Sequence, residues 1–248
     1  MRKKIVAANW KMNGRLDLVF KLLEPLVSQP IDGVEIIIFP PSTYLLPAAS
    51  ALTGSRVQLG AQNLSDQLDG AFTGEISAEM VLDCGASHVL VGHSERRQWY
   101  GETDETVARK FERAVQAGLT PVLCIGETQA QHQAGETEQV IAGQLQPVFD
   151  LLGRTALEHA IVAYEPVWAI GTGLTATPEQ AQSVHAFIRR FVAKHDESRA
   201  KLLPVLYEGS VKADNAASLF AQPDVDGGLV GGASLDSDGF KAICQAAI

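Results

Sequence analysis

The stretch Ala160-Ile161-Val162-Ala163-Tyr164-Glu165-Pro166 places five apolar or aromatic residues directly before a carboxylate and a proline. A short apolar run of this kind is typical of a β-strand buried on both faces, as in a parallel sheet covered by helices. A segment of helical period follows at 178–195, where Pro178 occupies a first-turn position that needs no N–H donor. The stretch therefore predicts one strand–helix unit, with Glu165 at the carboxyl end of the strand.

The same alternation of strand and helix recurs along the whole chain. It predicts strands at 5–10, 35–39, 57–61, 88–91, 120–125, 160–164, 203–207 and 228–230, and helices at 16–27, 44–52, 77–84, 105–117, 137–152, 178–195, 213–219 and 239–247. Dividing 248 residues by eight gives about 31 residues per unit, the length of a βαβ unit. Eight units most simply close into an α/β fold with one domain at 1–248, the (β/α)8 or TIM barrel; an open doubly wound sheet is the alternative.

Composition narrows the possible partners of the chain. Hydrophobic residues make up 46% of the sequence, which suffices for a sizeable core. The net charge is -9 and no run of basic residues interleaves with aromatic residues, so we expect no nucleic-acid partner. The apolar run at 5–8 is too short for a signal peptide, and no stretch is long enough to span a membrane. We expect a soluble, cytoplasmic protein with no membrane partner.

The candidate functional residues follow the predicted strands. In both possible architectures, ligands bind beyond the carboxyl ends of the strands. Polar or glycine residues stand at five such places: Asn9 and Lys11, His93, Glu165, Ser210, and Gly231-Gly232. We therefore expect these residues to surround one site.

Glu165 is the candidate general base. A carboxylate at the mouth of an apolar strand is partly desolvated, and desolvation raises its pKa toward the working pH. A structural ion pair is the alternative role. Pro166 and the apolar segment 167–170 lead into Gly171-Thr172-Gly173, and such a loop suits a lid that excludes water.

His93 and Lys11 are candidates with ordinary alternatives. Ser94-Glu95-Arg96-Arg97 predicts a short helix after His93, whose N–H groups would favour a neutral imidazole able to donate a proton to a carbonyl oxygen. A histidine that is hydrogen-bonded in the core is the alternative. Lys11 follows the first strand, and its alternative is a solvated surface charge.

The late glycines favour an anion site. Gly209-Ser210 and Gly231-Gly232 follow the seventh and eighth strands, where barrel enzymes often bind phosphate through loop N–H groups. Tight turns without a ligand are the alternative. The segment 171–176 imitates a dinucleotide fingerprint but lies several residues past its strand, and no residues show metal-ligand spacing along the sequence. We expect no cofactor and no metal.

Several motifs together resemble the triosephosphate isomerase family over nearly the whole chain. They are Asn9-Trp10-Lys11-Met12-Asn13-Gly14, Gly70-Ala71-Phe72-Thr73-Gly74-Glu75, 92–97, Cys124-Ile125-Gly126-Glu127-Thr128, 163–173, Gly209-Ser210-Val211 and Val230-Gly231-Gly232-Ala233-Ser234-Leu235. The resemblance implies a (β/α)8 barrel, usually a homodimer. It also implies an isomerase of glycolysis and gluconeogenesis that interconverts D-glyceraldehyde 3-phosphate and dihydroxyacetone phosphate through an enediolate, without cofactor or metal.

The resemblance also implies residue roles. Glu165 moves the proton between carbons, neutral His93 polarises the carbonyl, and Lys11, helped by Asn9, attracts the phosphate and steadies the enediolate oxygen. Gly171, Ser210 and Gly232 match the backbone phosphate donors, and Gly231 is a further substrate-binding residue. Glu95 matches the partner of the lysine, Tyr207 is a supporting residue, and Thr73 matches the dimer-interface segment that enters a pocket of the second subunit near Lys11.

One position departs from the family pattern. The family usually has Tyr-Gly-Gly-Ser after the seventh strand, whereas this chain has Tyr207-Glu208-Gly209-Ser210. A carboxylate beside a dianionic phosphate would repel it, so we expect Glu208 to turn outward toward solvent or a basic neighbour. Two other functions stay open at this stage: another phosphate-binding barrel enzyme, and a catalytically impaired binding protein, for which Glu208 is the only hint.

Overall fold

A computed structural model describes residues 2–169 and 175–248, and eight parallel strands in this part form one closed barrel in sequence order. The strands are β1 Ile5–Asn9, β2 Glu35–Phe39, β3 Gln58–Ala61, β4 His88–Val91, β5 Thr120–Ile125, β6 Ile161–Tyr164, β7 Val205–Tyr207 and β8 Gly227–Val230. β1 pairs with β2 on one side and with β8 on the other, which closes the ring. The predicted (β/α)8 barrel is confirmed, and the open doubly wound sheet is wrong.

Helices alternate with these strands. Within the described residues they are α1 Leu16–Ser28, α2 Leu45–Ala51, α3 Ala78–Asp83, α4 Ser94–Tyr100, α5 Asp104–Ala117, α6 Gln129–Gln133, α7 Thr137–Leu152, α8 Pro178–Ala193, α9 Glu197–Leu202, α10 Ala216–Phe220 and α11 Ser237–Gln245. The eight predicted helices are present with ends shifted by at most three residues, and α4 is the short helix expected after His93. α6 and α9 were not predicted, although capping side chains begin both: Thr128 and Asp196.

The barrel interior is a separate cluster of buried side chains. It consists of Ile5, Ala7, Ile37, Phe39, Leu90, Val122, Cys124, Ile161, Ala163, Leu206 and Leu229. Their strand neighbours, such as Tyr164 and Tyr207, pack instead in the larger cluster between the strands and the helices. Because side chains alternate along a strand, the residue two positions after an interior one faces the interior again. Asn9, Glu165 and Glu208 therefore lie at the mouth of the barrel.

A buried histidine behind the barrel makes the stability of the fold dependent on pH. Burial lowers the pKa of His185 in α8 to about 3, well below its ordinary value of 6.5. The unfolded chain therefore binds one proton more than the folded chain between these two values, so stability falls as the pH drops through this window.

We expect the free energy of unfolding to fall by about 1.4 kcal/mol per pH unit below about pH 6 through this histidine alone. Urea unfolding at about pH 7, 6 and 5 should show a slope that is shallower by this amount in His185→Gln than in the wild type. His159→Gln is the matched control, because His159 is exposed. Equal slopes in all three proteins would contradict the assignment.

Candidate active site

Glu165 lies at the mouth of the barrel, directly after β6, and is only 1% exposed. Ser94, the first residue of α4, fixes its carboxylate: the Ser94 N–H donates to Oε2 at 2.9 Å and the Ser94 hydroxyl to Oε1 at 2.5 Å. Burial, and next the charge of Glu208, raise the pKa of Glu165 to about 7. A carboxylate with this pKa can both take and return a proton near neutral pH.

The backbone of Glu165 also depends on a close approach that the sequence did not reveal. A Cβ atom at Gly126 would lie 1.8 Å from the carbonyl oxygen of Glu165, so only glycine fits after β5. The roles of Ser94 and Gly126 were not predicted, although both stand inside quoted motifs. A glycine directly after an apolar strand was the signal that could have identified Gly126.

His93 caps the helix that follows it. Gly92, with a φ of 77°, turns the chain out of β4, and Nδ1 of His93 accepts the N–H of Glu95 at 3.2 Å. A ring nitrogen that accepts a hydrogen bond carries no proton, so the neutral ring has its proton on Nε2.

The side chain of Glu208 does not have the outward orientation that was predicted. Instead of turning outward, its side chain is buried at 6% exposure, and Oε1 lies 3.2 Å from Nε2 of His93. The reason is the strand register: Leu206 faces the barrel interior and Tyr207 faces the helices, so Glu208 faces the interior again. The two-residue period was therefore the signal that could have predicted this orientation.

The two carboxylates determine the charge that His93 prefers. Burial disfavours the charged imidazole, but the nearby carboxylates of Glu165 and Glu208 outweigh it and raise the pKa of His93 to about 9. The N–H of Glu95 opposes this change, because a proton on Nδ1 would face another donor. Glu208 thus favours the charged imidazole, in contrast to the neutral ring expected from the helix terminus.

Lys11 and Asn9 lie on the opposite side of the mouth. Lys11 has a φ of 50°, and Oδ1 of Asn9 accepts its N–H at 2.9 Å, which holds this unusual conformation. Its ammonium group forms a 2.6 Å ion pair with Glu95. Burial tends to lower the pKa of Lys11, but the hydrogen bond with Glu95 and the surrounding carboxylates raise it above its ordinary value. A permanent positive charge therefore lies within the site.

A cavity of about 220 Å³ joins the late glycines to these side chains. Its lining includes Asn9, Lys11, Glu165, Glu208, Ser210, Gly231 and Gly232. Gly232 begins a short 3-10 helix. Within residues 2–169 and 175–248, no atom apart from those of its chain neighbours lies within 4 Å of where its Cβ would be, so this part leaves its backbone accessible to a ligand. The structure thus brings together every predicted substrate-binding residue except Gly171, which lies outside the described residues.

Tyr207 supports this cavity from behind. Its ring is fully buried, and its hydroxyl group would lie 2.1 Å from a Cβ atom at Gly209, so the tyrosine leaves room only for glycine there.

Glu127, which the sequence analysis did not single out, is also fully buried. It accepts hydrogen bonds from Trp168 Nε1 at 2.8 Å and from Tyr164 at 3.1 Å, and so anchors the segment that leads into 170–174.

No helix among residues 2–169 and 175–248 is both long and apolar enough to cross a membrane. A buried carboxylate, an imidazole and a cation beside glycine-containing loops, all at the carboxyl ends of barrel strands, are the arrangement typical of a phosphate-binding (β/α)8 enzyme. The family profile described as triosephosphate isomerase matches residues 4–247. The chain belongs to the triosephosphate isomerase family.

Curated relatives agree with this assignment. A triosephosphate isomerase of Alcanivorax borkumensis is 56% identical over 246 residues, which are 99% of each chain. Those of Xanthomonas oryzae pv. oryzae and Stenotrophomonas maltophilia are 54% and 55% identical over 248 residues, covering 100% of this chain and 99% of theirs. The protein is an isomerase that interconverts D-glyceraldehyde 3-phosphate and dihydroxyacetone phosphate in glycolysis, by the family's enediolate mechanism.

Proposed function

We propose that Glu165, His93 and Lys11 carry out this isomerisation, with the phosphate bound by the loops that contain Ser210, Gly231-Gly232 and Gly171. The observation that carries the proposal is the distance of 3.6 Å between Oε1 of Glu165 and Nε2 of His93. Glu165 lines the cavity beside the late glycines, His93 lines the neighbouring cavity, and Asn9 and Lys11 line both. A substrate whose phosphate occupies the adjoining cavity would extend its carbon atoms toward this pair. Asn9, Glu95 and Tyr207 position the groups that contact it.

The proton transfers follow from the positions of these groups. The carboxylate of Glu165 removes a proton from the carbon next to the carbonyl group, while Nε2–H of His93 donates to the carbonyl oxygen, and the ammonium group of Lys11 stabilises the negative charge that develops. Glu165 then returns the proton to the former carbonyl carbon, and the hydroxyl group on the other carbon gives its proton to Nε2 of His93, so that both side chains regain their starting state. Triosephosphate isomerase is itself the standard example of a glutamate base paired with a neutral histidine.

Lys11→Ala tests the role of the cation. We expect kcat/KM to fall at least about 30-fold, or 2 kcal/mol, because the variant removes a charge that faces a dianion and leaves Glu95 unpaired. A coupled isomerisation assay and the inhibition constant of inorganic phosphate should both show the loss. Lys212→Ala is the control, because Lys212 lines the same cavity yet is exposed and has no assigned role. Unchanged phosphate inhibition in Lys11→Ala would exclude the role.

We also propose that the chain folds as a single domain over 1–248, and that the protein acts in the cytoplasm and serves gluconeogenesis as well as glycolysis. We further propose that it acts as a homodimer. Thr73 and Phe72 are exposed in a tight turn, in which the N–H of Glu75 donates to Phe72 O at 3.0 Å. A second cavity, of about 380 Å³, opens beside Lys11. The turn of a second copy would fit this cavity, and a two-fold axis would apply the contact twice.

Thr73→Arg tests the dimer. We expect monomers whose activity is reduced by about tenfold or more, because a long cation cannot enter a cavity that Lys11 and Arg96 already line. Sedimentation velocity and the coupled assay measure the two effects. Thr53→Arg, at another exposed threonine, is the control and should stay dimeric. An intact, active Thr73→Arg dimer would refute the proposal.

A further inference from the structure

Three buried side chains from three different strands converge at the mouth of the barrel. One ligand atom from each of His93, Glu165 and Glu208 lies within 4.8 Å of the other two, and no other such group of three or more occurs among residues 2–169 and 175–248. Within those residues, neither Nε2 of His93 nor Oε2 of Glu208 has a well-aligned hydrogen-bond partner, although Nε2 lies 3.2 Å from Oε1 of Glu208 and the Cys124 thiol lies beside the same carboxylate. Buried polar atoms without partners are costly, so this cluster would gain stability from a cation.

The donor set suits a divalent transition metal. Zinc binds imidazole nitrogen and carboxylate oxygen at about 2.0–2.2 Å, which places tetrahedral ligand atoms roughly 3.4 Å apart. Nε2 of His93 lies 3.2 Å from Glu208 Oε1 and 3.6 Å from Glu165 Oε1. The third pair, between the two carboxylates, lies within 4.8 Å, so side-chain adjustments of about 1 Å would bring the three atoms onto one ion beside the cavity that both carboxylates line.

The neighbours of the three side chains already orient two of them. Ser94 holds both oxygens of Glu165, as the hydrogen bonds around metal-binding carboxylates commonly do. Binding at Nε2 of His93 moves the ring proton to Nδ1, which loses the N–H of Glu95 but has the Glu95 carboxylate 3.8 Å away as an acceptor. This exchange is the main structural cost of the site.

We propose that His93, Glu165 and Glu208 bind one divalent transition-metal ion, with Zn²⁺ as the probe, and that the bound ion inhibits the isomerase. Glu208 completes the site, because a glycine at this position would leave only two ligands. The ion would occupy the carboxylate and the imidazole that move the protons. The inhibition rests on the roles proposed above for Glu165 and His93, whereas the binding does not.

Calorimetric titration of the chelator-treated wild-type protein with Zn²⁺ should show one site per chain at the mouth of the barrel. In Glu208→Gly and Glu208→Gln we expect this site to bind at least about 100-fold more weakly, because loss of a direct ligand exceeds the 10- to 100-fold cost of losing a supporting partner. Far-ultraviolet circular dichroism checks that both variants fold. Wild-type affinity in either folded variant, or no one-to-one binding by the wild type, would overturn the proposal.

Two control variants remove competing ligands. His132 pairs with the buried Glu127 at 3.2 Å, and Cys84 is a half-buried free thiol. His132→Gln and Cys84→Ser should therefore retain wild-type affinity. Co²⁺ absorption spectra add an independent criterion, because the proposed site contains no sulfur: a thiolate charge-transfer band that saturates with the one-to-one site would refute the assignment.

Inhibition is tested separately from binding. Zn²⁺ should inhibit the wild type in the coupled assay at the concentrations at which the site fills, and excess chelator should restore the activity. Glu208→Gly should need at least about 100-fold more Zn²⁺, in line with its weaker binding. Saturated binding without inhibition would overturn the inhibitory part and count against Glu165 as the base, while the metal site would stand on the titrations.

Discussion

Glu165→Asp should lower kcat/KM on the order of 100-fold while the fold stays intact. The shorter side chain moves the carboxylate by about 1 Å, and a displacement of this size can cost that factor. In this chain the displacement also breaks the 2.9 Å and 2.5 Å hydrogen bonds from Ser94, which set the direction of the two oxygens. The aspartate would therefore lose both its reach and its orientation.

A coupled assay in both reaction directions measures this effect, and thermal unfolding verifies the fold. Ser94→Ala is the matched control, because it removes one of the two hydrogen bonds and leaves the carboxylate at its full length. We expect the control to lose about tenfold or less, since one hydrogen bond to a charged group contributes roughly 1.5 kcal/mol. Near wild-type turnover by Glu165→Asp would remove Glu165 from the role of base.

Glu208→Gly should raise kcat/KM about 100-fold. The carboxylate lies 3.2 Å from Nε2 of His93, the nitrogen that we propose donates to the substrate, so it would occupy space that the substrate oxygen needs. It also repels the dianionic phosphate. The expected gain of about 100-fold, or about 2.7 kcal/mol, is smaller than the unscreened repulsion because the adjacent imidazole of His93, which favours its charged form, partly neutralises the carboxylate. An outward orientation would predict a change of less than about tenfold, but the buried position removes that expectation.

Glu208→Gln separates the two causes of this gain. The amide keeps the volume of the side chain and removes its charge, so recovery of activity in this variant measures the repulsion alone. Steady-state kinetics with the phosphate-bearing substrate should show most of the gain in KM. A change below about tenfold in Glu208→Gly would mean that the carboxylate leaves the site whenever substrate binds, and that the enzyme is not impaired.

The sequence predicted the strands well because their cause is local. β2, β4 and β5 have the predicted bounds, since each begins at a polar residue, continues as an apolar run and ends directly before a proline or a glycine. β7 was predicted two residues too early, because Leu203 and Pro204 are equally apolar but precede the first paired residue. α9 was missed because it is short and polar and because its Arg199 binds the distant carbonyl group of Ala160.

The site was predictable as a set of residues but not in its electrostatics. Asn9, Lys11, His93 and Glu165 were found because each follows a strand. The cluster of three potential ligands was not found, because its members are far apart in sequence and show no ligand spacing. The predicted outward orientation of Glu208 is wrong for a related reason. That prediction assumed a bound phosphate, whereas the strand register decides where the side chain points.

The pairing of β1 with β8 affects how the chain folds during its synthesis. Ile5 pairs with Gly227, so β1, the first strand to leave the ribosome, cannot complete its hydrogen bonds until β8, the last strand, has been synthesised. Until then β1 has one unpaired edge, a row of N–H and C=O groups that invites pairing with other chains. Pairings this distant in sequence also form slowly. We expect the nascent chain to complete its barrel only after release, and to depend on chaperones during that interval.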